Sequence, residues 1–109
     1  MLDDNDRELT TLVAVVHTLN HTWKCAAEAW GKDAPAARTL QKLKGVHQVR
    51  LLRTFPGRVS LARDPHDPAW SVRIDPPARS HRNAAHLPEH VARDLLTEAE
   101  LTALAPGTE

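Results

Sequence analysis

Two groups of side chains have types and spacings that could do chemistry. His17, His21 and Cys25 recur every four residues, so on a helix they lie near one stripe. There, imidazole and thiolate could bind zinc, or His21 and Cys25 could form a nucleophile–base pair. A looser histidine group follows late in the chain: His81, His86 and His90. The sequence has one cysteine and neither a CxxC nor an HExxH motif, so we expect exposed histidines and no metal site.

The segment 64–68 reads Asp-Pro-His-Asp-Pro and therefore carries both acidic and basic groups. Its two prolines are more typical of a rigid connector than of a catalytic loop. No pattern indicates an oxyanion hole or a substrate pocket. We therefore expect no enzymatic activity, no cofactor and no small-molecule substrate.

Residues 3–30 have the apolar periodicity of a helix. The pattern favours one continuous helix, but Asn20, His21 and Thr22 are weak helix formers, so two shorter helices are also considered. Large apolar side chains repeat along the segment every seven residues: Leu9, Val16, Trp23 and Trp30. This stripe could form a dimer interface with aromatic anchors. We favour the alternative that most of it covers the chain's own sheet.

The following residues predict an α+β fold. A second helix is expected over 36–44, ended by Gly45. Apolar and polar residues then alternate, which predicts a three-stranded antiparallel sheet at about 46–55, 58–63 and 69–75. Residues 78–86 are expected to form a polar connector. Short helices should complete the chain, and Thr97 with Glu100 has the spacing of a capping box.

Charge is distributed unevenly along a chain whose length indicates a single domain, 1–109. The formal net charge is −3 over residues 1–31, the N-terminal helical segment, and +7 over residues 32–82, the basic helix and sheet. It is −4 over residues 83–109, the C-terminal helical segment. A basic middle favours an anionic partner. The alternative is that the acidic ends fold over the middle and neutralise it.

The order of these elements resembles a winged helix-turn-helix domain over about residues 8–75. The residues that carry this resemblance are Ala26, Ala29, Gly31, Leu40, Leu43, Gly45 and the segment 55–59, Phe-Pro-Gly-Arg-Val. The resemblance implies that the helix over 35–44 enters a major groove of DNA. It also implies that a hairpin wing with Arg58 at its tip contacts the nucleic-acid backbone.

We therefore predict a non-catalytic nucleic-acid-binding protein, with DNA favoured over RNA, such as a transcriptional or phage-type regulator. A homodimer is also considered. The side chains predicted to bind nucleic acid are Arg38, Gln41, Lys42, Lys44, Arg50, Arg53, Arg58 and Arg73. The alternative is a small protein-interaction module, such as an inhibitor, immunity factor or assembly chaperone. It would act through the apolar N-terminal helix or the acidic C-terminal helices.

The sequence also bears on localisation. The chain begins with acidic residues at positions 3 and 4, and its longest apolar run, residues 12–16, is far shorter than a bilayer is thick. With no signal-peptide pattern at its start, we expect a cytoplasmic protein that does not bind membranes.

Overall fold

The computed structural model describes residues 4–64, 67–79 and 81–104. Two long helices, α1 (Asp4–Trp30) and α2 (Pro35–Thr54), come first. Three strands follow: β1 (Val59–Asp64), β2 (Asp67–Ala78) and β3 (His81–Leu87). Two short helices, α3 (Glu89–Leu95) and α4 (Glu98–Leu104), come last. The strands form an antiparallel sheet in the order β1-β2-β3, so the predicted α+β class is confirmed.

Helix α1 is continuous, which decides between the two alternatives for residues 3–30. Leu9, Leu12, Val13 and Val16 are buried at the three- and four-residue spacing of one helical face. The Thr22 hydroxyl donates to the carbonyl of Thr18 at 3.0 Å, so this weak helix former is accommodated within the helix. The helix stops at residue 31, a glycine with a φ of +95°, a backbone angle that other residues rarely adopt.

Helix α2 is twice as long as expected, and the predicted strand at 46–55 was wrong. Gln48, Val49, Leu51 and Leu52 are buried, a grouping that one helical face produces because positions three and four apart lie together. The alternation of Val49, Leu51 and Phe55 fits a strand over a few residues only by coincidence. Gly45 does not end the helix; it lies within it, packed against α3.

The sheet is displaced along the chain relative to the prediction. Strands β1 and β2 correspond to the strands expected at 58–63 and 69–75. The third strand is β3, in the segment predicted to be a connector. Its only buried residues are Ala84 and Leu87, so the apolar alternation that marks a strand is weak there.

One hydrophobic core lies between the inner face of the sheet and the helices. It is built by side chains such as Val16 of α1, Leu52 of α2, Val72 of β2 and Leu87 of β3, all fully buried. Residues past Val16 in α1 and before Lys44 in α2 are mostly exposed; only Ala26 and Ala37 are buried there. Helices α1 and α2 form a helical hairpin, and its end around the turn at 31–34 therefore extends away from the main core.

The C-terminal helices close one end of the fold. The capping box is confirmed: the amide of Glu100 donates to the Thr97 hydroxyl, and the amide of Thr97 donates to the Glu100 carboxylate, both at 3.1 Å.

None of the helices within the described residues carries an apolar stretch that could cross a bilayer.

Candidate nucleic-acid-binding groove

The structure brings the predicted nucleic-acid-binding residues together only in part: Arg38, Gln41 and Lys42 line one pocket, and Arg50 and Arg53 line another. Five of them are exposed: Arg38, Lys42, Arg50, Arg53 and Arg73. The guanidinium of Arg53 donates from Nε and Nη2 to both carboxylate oxygens of Glu100, at 2.8 and 2.9 Å. This bidentate pair and the Thr97 amide lower the pKa of Glu100 to about 2. Arg53 is therefore engaged by an acidic residue of the C-terminal segment.

Arg58 is engaged as well, by a residue near the opposite end of the chain. Its Nη1 group pairs with the Asp6 carboxylate, and its Nε group donates to the carbonyl of Pro76 at 3.2 Å. Residues 55–58 connect α2 to β1, which begins at Val59, so the hairpin wing expected at 55–59 was wrong. The reason is that residues 46–54 are helical, which leaves no preceding strand for a hairpin.

The predicted interface stripe is split between the core and the surface. Leu9 and Val16 are fully buried among the chain's own residues. This agrees with the expectation that most of the stripe covers the chain's own sheet. Trp23 is half-buried, while Trp30 is 68% exposed near the end of the hairpin. Within α1, therefore, it is the distal half that presents tryptophan side chains to a ligand or partner.

A groove of about 860 Å³ lies where the helical hairpin extends away from the sheet. One wall is α1 with the turn that follows it, another is α2, and the third is β3 with the start of α3. We call it the basic groove. Its polar and aromatic lining residues are His17, Asn20, Trp23, Lys24, Lys32, Gln41, Lys44, Asn83, His86, Glu89 and His90. Gln41 and Lys44 are the two predicted binding residues that line it.

Lys44 lies against α1 at the base of this groove and is 2% exposed. Its Nζ group donates to Asn20 Oδ1 at 3.2 Å and lies 4.9 Å from the centre of the Trp23 ring. Burial is the main reason why its pKa falls to about 8, and the nearby Lys24 lowers the pKa further. Among the described residues, no carboxylate forms an ion pair with Lys44.

The charge of the groove is positive. Lys24, Lys32 and Lys44 line it, against the single carboxylate of Glu89 among its described lining residues. That carboxylate is already engaged: Oε1 of Glu89 lies 3.4 Å from Arg63 Nη2 and 3.3 Å from Arg93 Nη2. The lysines are therefore not neutralised from within the groove, and an anion entering it meets a favourable field.

The β3 wall is held by side chains that reach across from the helices. His17 Nε2 donates to the carbonyl of Asn83 at 3.0 Å, and the His17 ring stacks on His81 with centroids 4.6 Å apart. The buried Gln48 amide donates to the carbonyls of Ala84 and His86 at 2.8 and 3.2 Å. These contacts satisfy backbone acceptors on an edge strand and fix its distance from α1 and α2.

The other candidate chemical groups are brought together only in part. Cys25 Sγ lies 3.7 Å from His21 Nε2, and both side chains are exposed on α1. No group of three or more metal-binding side chains occurs among residues 4–64, 67–79 and 81–104. His81 stacks on His17, whereas His86 and His90 line the groove. The centre of the Asp-Pro-His-Asp-Pro segment lies outside the described residues.

Much of the groove was not predicted from the sequence. Asn20, Lys24, Lys32 and Asn83 were not predicted as binding residues, because they lie on three separate segments of the chain. A local signal existed: His17, Asn20 and Lys24 recur at three- and four-residue spacing beside Trp23, which predicts a polar stripe on α1. The opposing wall could not be found in this way, since it belongs to a strand that the pattern did not reveal.

Fold and site together define a small α+β protein with a basic groove between a helical hairpin and the edge of an antiparallel sheet. Comparison of the chain with models of protein families, with curated proteins and with solved structures found no match in any of the three.

Proposed function

We propose that this chain binds single-stranded nucleic acid, without catalysing a reaction, along the basic groove. The observation that carries the proposal is the convergence of Lys24, Lys32 and Lys44 with Trp23 on one concave surface. Lysines in such a groove can replace the counterions of a phosphate backbone, and an aromatic ring offers a stacking platform for a base.

Trp30 supports the proposal from outside the groove. It follows Trp23 by seven residues, so both rings lie near the same face of α1, about 10 Å apart along the helix axis. Its 68% exposure is unusual for a tryptophan. Exposed aromatic rings beside lysines are typical of proteins that bind single strands with little sequence preference.

A single strand suits the groove better than a duplex. A duplex would dock on the outer face of α2 and the turn at 55–59, as the sequence resemblance implies. There, Arg53 and Arg58 are held by Glu100 and Asp6. Of the predicted arginines left for duplex contact, Arg38 and Arg50 lie twelve residues apart on α2, and Arg73 lies on β2. A cytoplasmic regulatory role, for DNA or RNA, remains part of the proposal.

The test is fluorescence anisotropy with labelled single-stranded DNA, single-stranded RNA and duplex DNA over a range of salt concentrations. For phosphate contacts by the two exposed lysines, Lys24 and Lys32, we expect the logarithm of affinity for a single strand to fall with the logarithm of salt concentration with a slope of about −1.4. The double variant Lys24→Ala/Lys32→Ala should weaken binding about tenfold or more and bring the slope towards zero.

The matched control is Arg50→Ala/Arg73→Ala, which removes the same charge from exposed positions that do not line the groove. It should leave the affinity for single strands nearly unchanged. If the control weakens binding as much as the lysine variant does, the groove is not the site. If no strand binds even at low salt, the proposed function is wrong.

The second candidate function is a protein-binding module. It is favoured by Leu43 and Val46 of α2, which are 42% and 43% exposed although both are large and apolar. The stripe of α1 is a weaker candidate, because Leu9 and Val16 are buried in the core. Size-exclusion chromatography with light scattering, with and without nucleic acid, distinguishes the two functions: a protein-binding module would ignore the nucleic acid.

A further inference from the structure

Lys44 is a buried cation to which none of the described residues supplies a counter-charge. Its hydrogen-bond acceptor is the neutral amide oxygen of Asn20, and its other close neighbour is the face of Trp23. A lysine that is 2% exposed is normally paired with a carboxylate, because an unpaired buried charge is costly. The Lys44 ammonium has three donor hydrogens, so at most one of them is used by Asn20.

Trp23 adds a second unused donor at the same place. Its indole Nε1 atom is buried and finds no acceptor among the described residues. Trp23 and Lys44 both line the groove, and Lys24 lies on the same wall one residue after Trp23. This recess, formed by Asn20, Trp23 and Lys44, is therefore rich in donors and positive charge. A group with several anionic oxygens complements it.

We propose that this recess binds a terminal phosphate monoester of the nucleic-acid ligand. The inference rests on the proposed function and names the chemical group that Lys44 recognises. A phosphodiester within a strand has a nucleoside on both sides and carries one negative charge. A terminal monoester has a nucleoside on one side only, so it can enter a recess, and it carries nearly two negative charges at neutral pH.

The lysines of the groove then have different roles. Lys24 and Lys32 are exposed, and they contact backbone phosphates of any strand. Lys44 is buried at the base, and it contacts only a phosphate that reaches the recess. The proposal therefore predicts a preference for phosphorylated strand ends that depends on Lys44, separable from the general affinity for nucleic acid.

The experiment compares three oligonucleotides of one sequence, bearing a 5′-phosphate, a 3′-phosphate or hydroxyls at both ends, by competition anisotropy. We expect the wild-type protein to bind one phosphorylated strand about tenfold more tightly than the hydroxyl strand, a ratio that one charge-assisted hydrogen bond can supply. Lys44→Met should abolish this preference, so that the phosphorylated and hydroxyl strands bind with equal affinity. Lys42→Met, a neighbouring exposed lysine, should retain the preference.

Asn20→Asp provides a second variant that keeps the lysine. It places a carboxylate beside Lys44 as an internal counter-charge, so it should also remove the preference for a phosphorylated end. Circular dichroism confirms that each variant is folded. Equal affinity of the wild-type protein for all three strands would overturn the proposal, as would a preference that persists in both Lys44→Met and Asn20→Asp.

Two small phosphates, a nucleoside 5′-monophosphate and inorganic phosphate, test phosphate binding at the recess separately from nucleic-acid binding. If no oligonucleotide binds, nucleic-acid binding is wrong, and thermal unfolding with these small phosphates decides the recess independently. A rise in Tm for the wild-type protein but not for Lys44→Met supports phosphate binding at the recess. If no oligonucleotide binds and the small phosphates leave the Tm of the wild-type protein unchanged, phosphate binding at the recess is overturned.

Discussion

Lys44 is the residue on which the account of the groove depends, and its sequence context did not reveal its burial. Lysine is among the residues least often buried, so the sequence predicted an outward, ligand-facing side chain. In the structure, Lys44 belongs to the buried stripe of α2, together with Ala37 and Gln48. Lys44 is buried because α1 packs against this part of α2. A local sequence pattern does not reveal such packing.

The lowered pKa of Lys44 predicts how stability changes with pH. The unfolded chain keeps this proton up to its ordinary pKa of 10.5, whereas the folded chain loses it near pH 8. Between these values the unfolded state binds more protons, so the contribution of Lys44 to the free energy of unfolding rises with pH. At lower pH the buried charge is a cost to the folded state.

Urea unfolding of the wild-type protein and Lys44→Met, measured from pH 7 to about 10.5, isolates this contribution. The wild-type protein should gain on the order of 3 kcal/mol relative to the variant across the window from about 8 to 10.5. A difference between the two proteins that stays constant over this window would show that Lys44 is not desolvated in the folded state.

At the scale of elements, Gly45 was read as the end of a helix and is instead a contact point between two helices. A Cβ atom at this position would lie 2.5 Å from Val91 Cγ1 and 3.2 Å from Leu95 Cδ1. Glycine stops many helices because it tolerates positive φ angles, but a glycine also permits close packing. Sequence does not distinguish these two uses without the position of α3.

The packing at Gly45 predicts the effect of Gly45→Ala. Alanine normally stabilises the interior of a helix by about 1 kcal/mol relative to glycine. Here the added methyl group meets Val91, a stiff β-branched side chain that is 5% exposed. We expect a net destabilisation of about 1–3 kcal/mol, measured by chemical denaturation.

The matched test is the double variant Gly45→Ala/Val91→Ala. Shortening Val91 removes Cγ1, the nearest atom that the new methyl group would meet, so Gly45→Ala should be less destabilising in the Val91→Ala background than alone. If Gly45→Ala stabilises the wild-type protein, α3 does not lie against this position of α2.

At the scale of the whole molecule, the sequence predicted the α+β class, α1, the strands at β1 and β2, and the C-terminal capping box. These depend on periodicity or on spacing within a few residues. The pairing of charges could not be predicted in the same way. Asp6 with Arg58, and Arg53 with Glu100, are 52 and 47 residues apart in the chain. Which lysines and arginines remain exposed is therefore a property of the complete fold.

The two acidic ends do fold over part of the basic middle, as one alternative from the sequence anticipated. Asp6 engages Arg58, Glu89 lies near Arg63, and Glu100 engages Arg53. Within the part of the chain that the structure describes, no ion pair of this kind involves the lysines of the basic groove. A segment with a net charge of +7 thus becomes, on folding, a more localised positive surface between α1, α2 and β3.

The most direct test of this account is an amide NMR titration of the wild-type protein with single-stranded DNA and RNA. We expect the largest chemical-shift changes on the residues around the basic groove, at 17–24, 32, 41–44 and 83–90. Changes centred on Arg50 and Arg73 instead, or no changes at low salt, would contradict it.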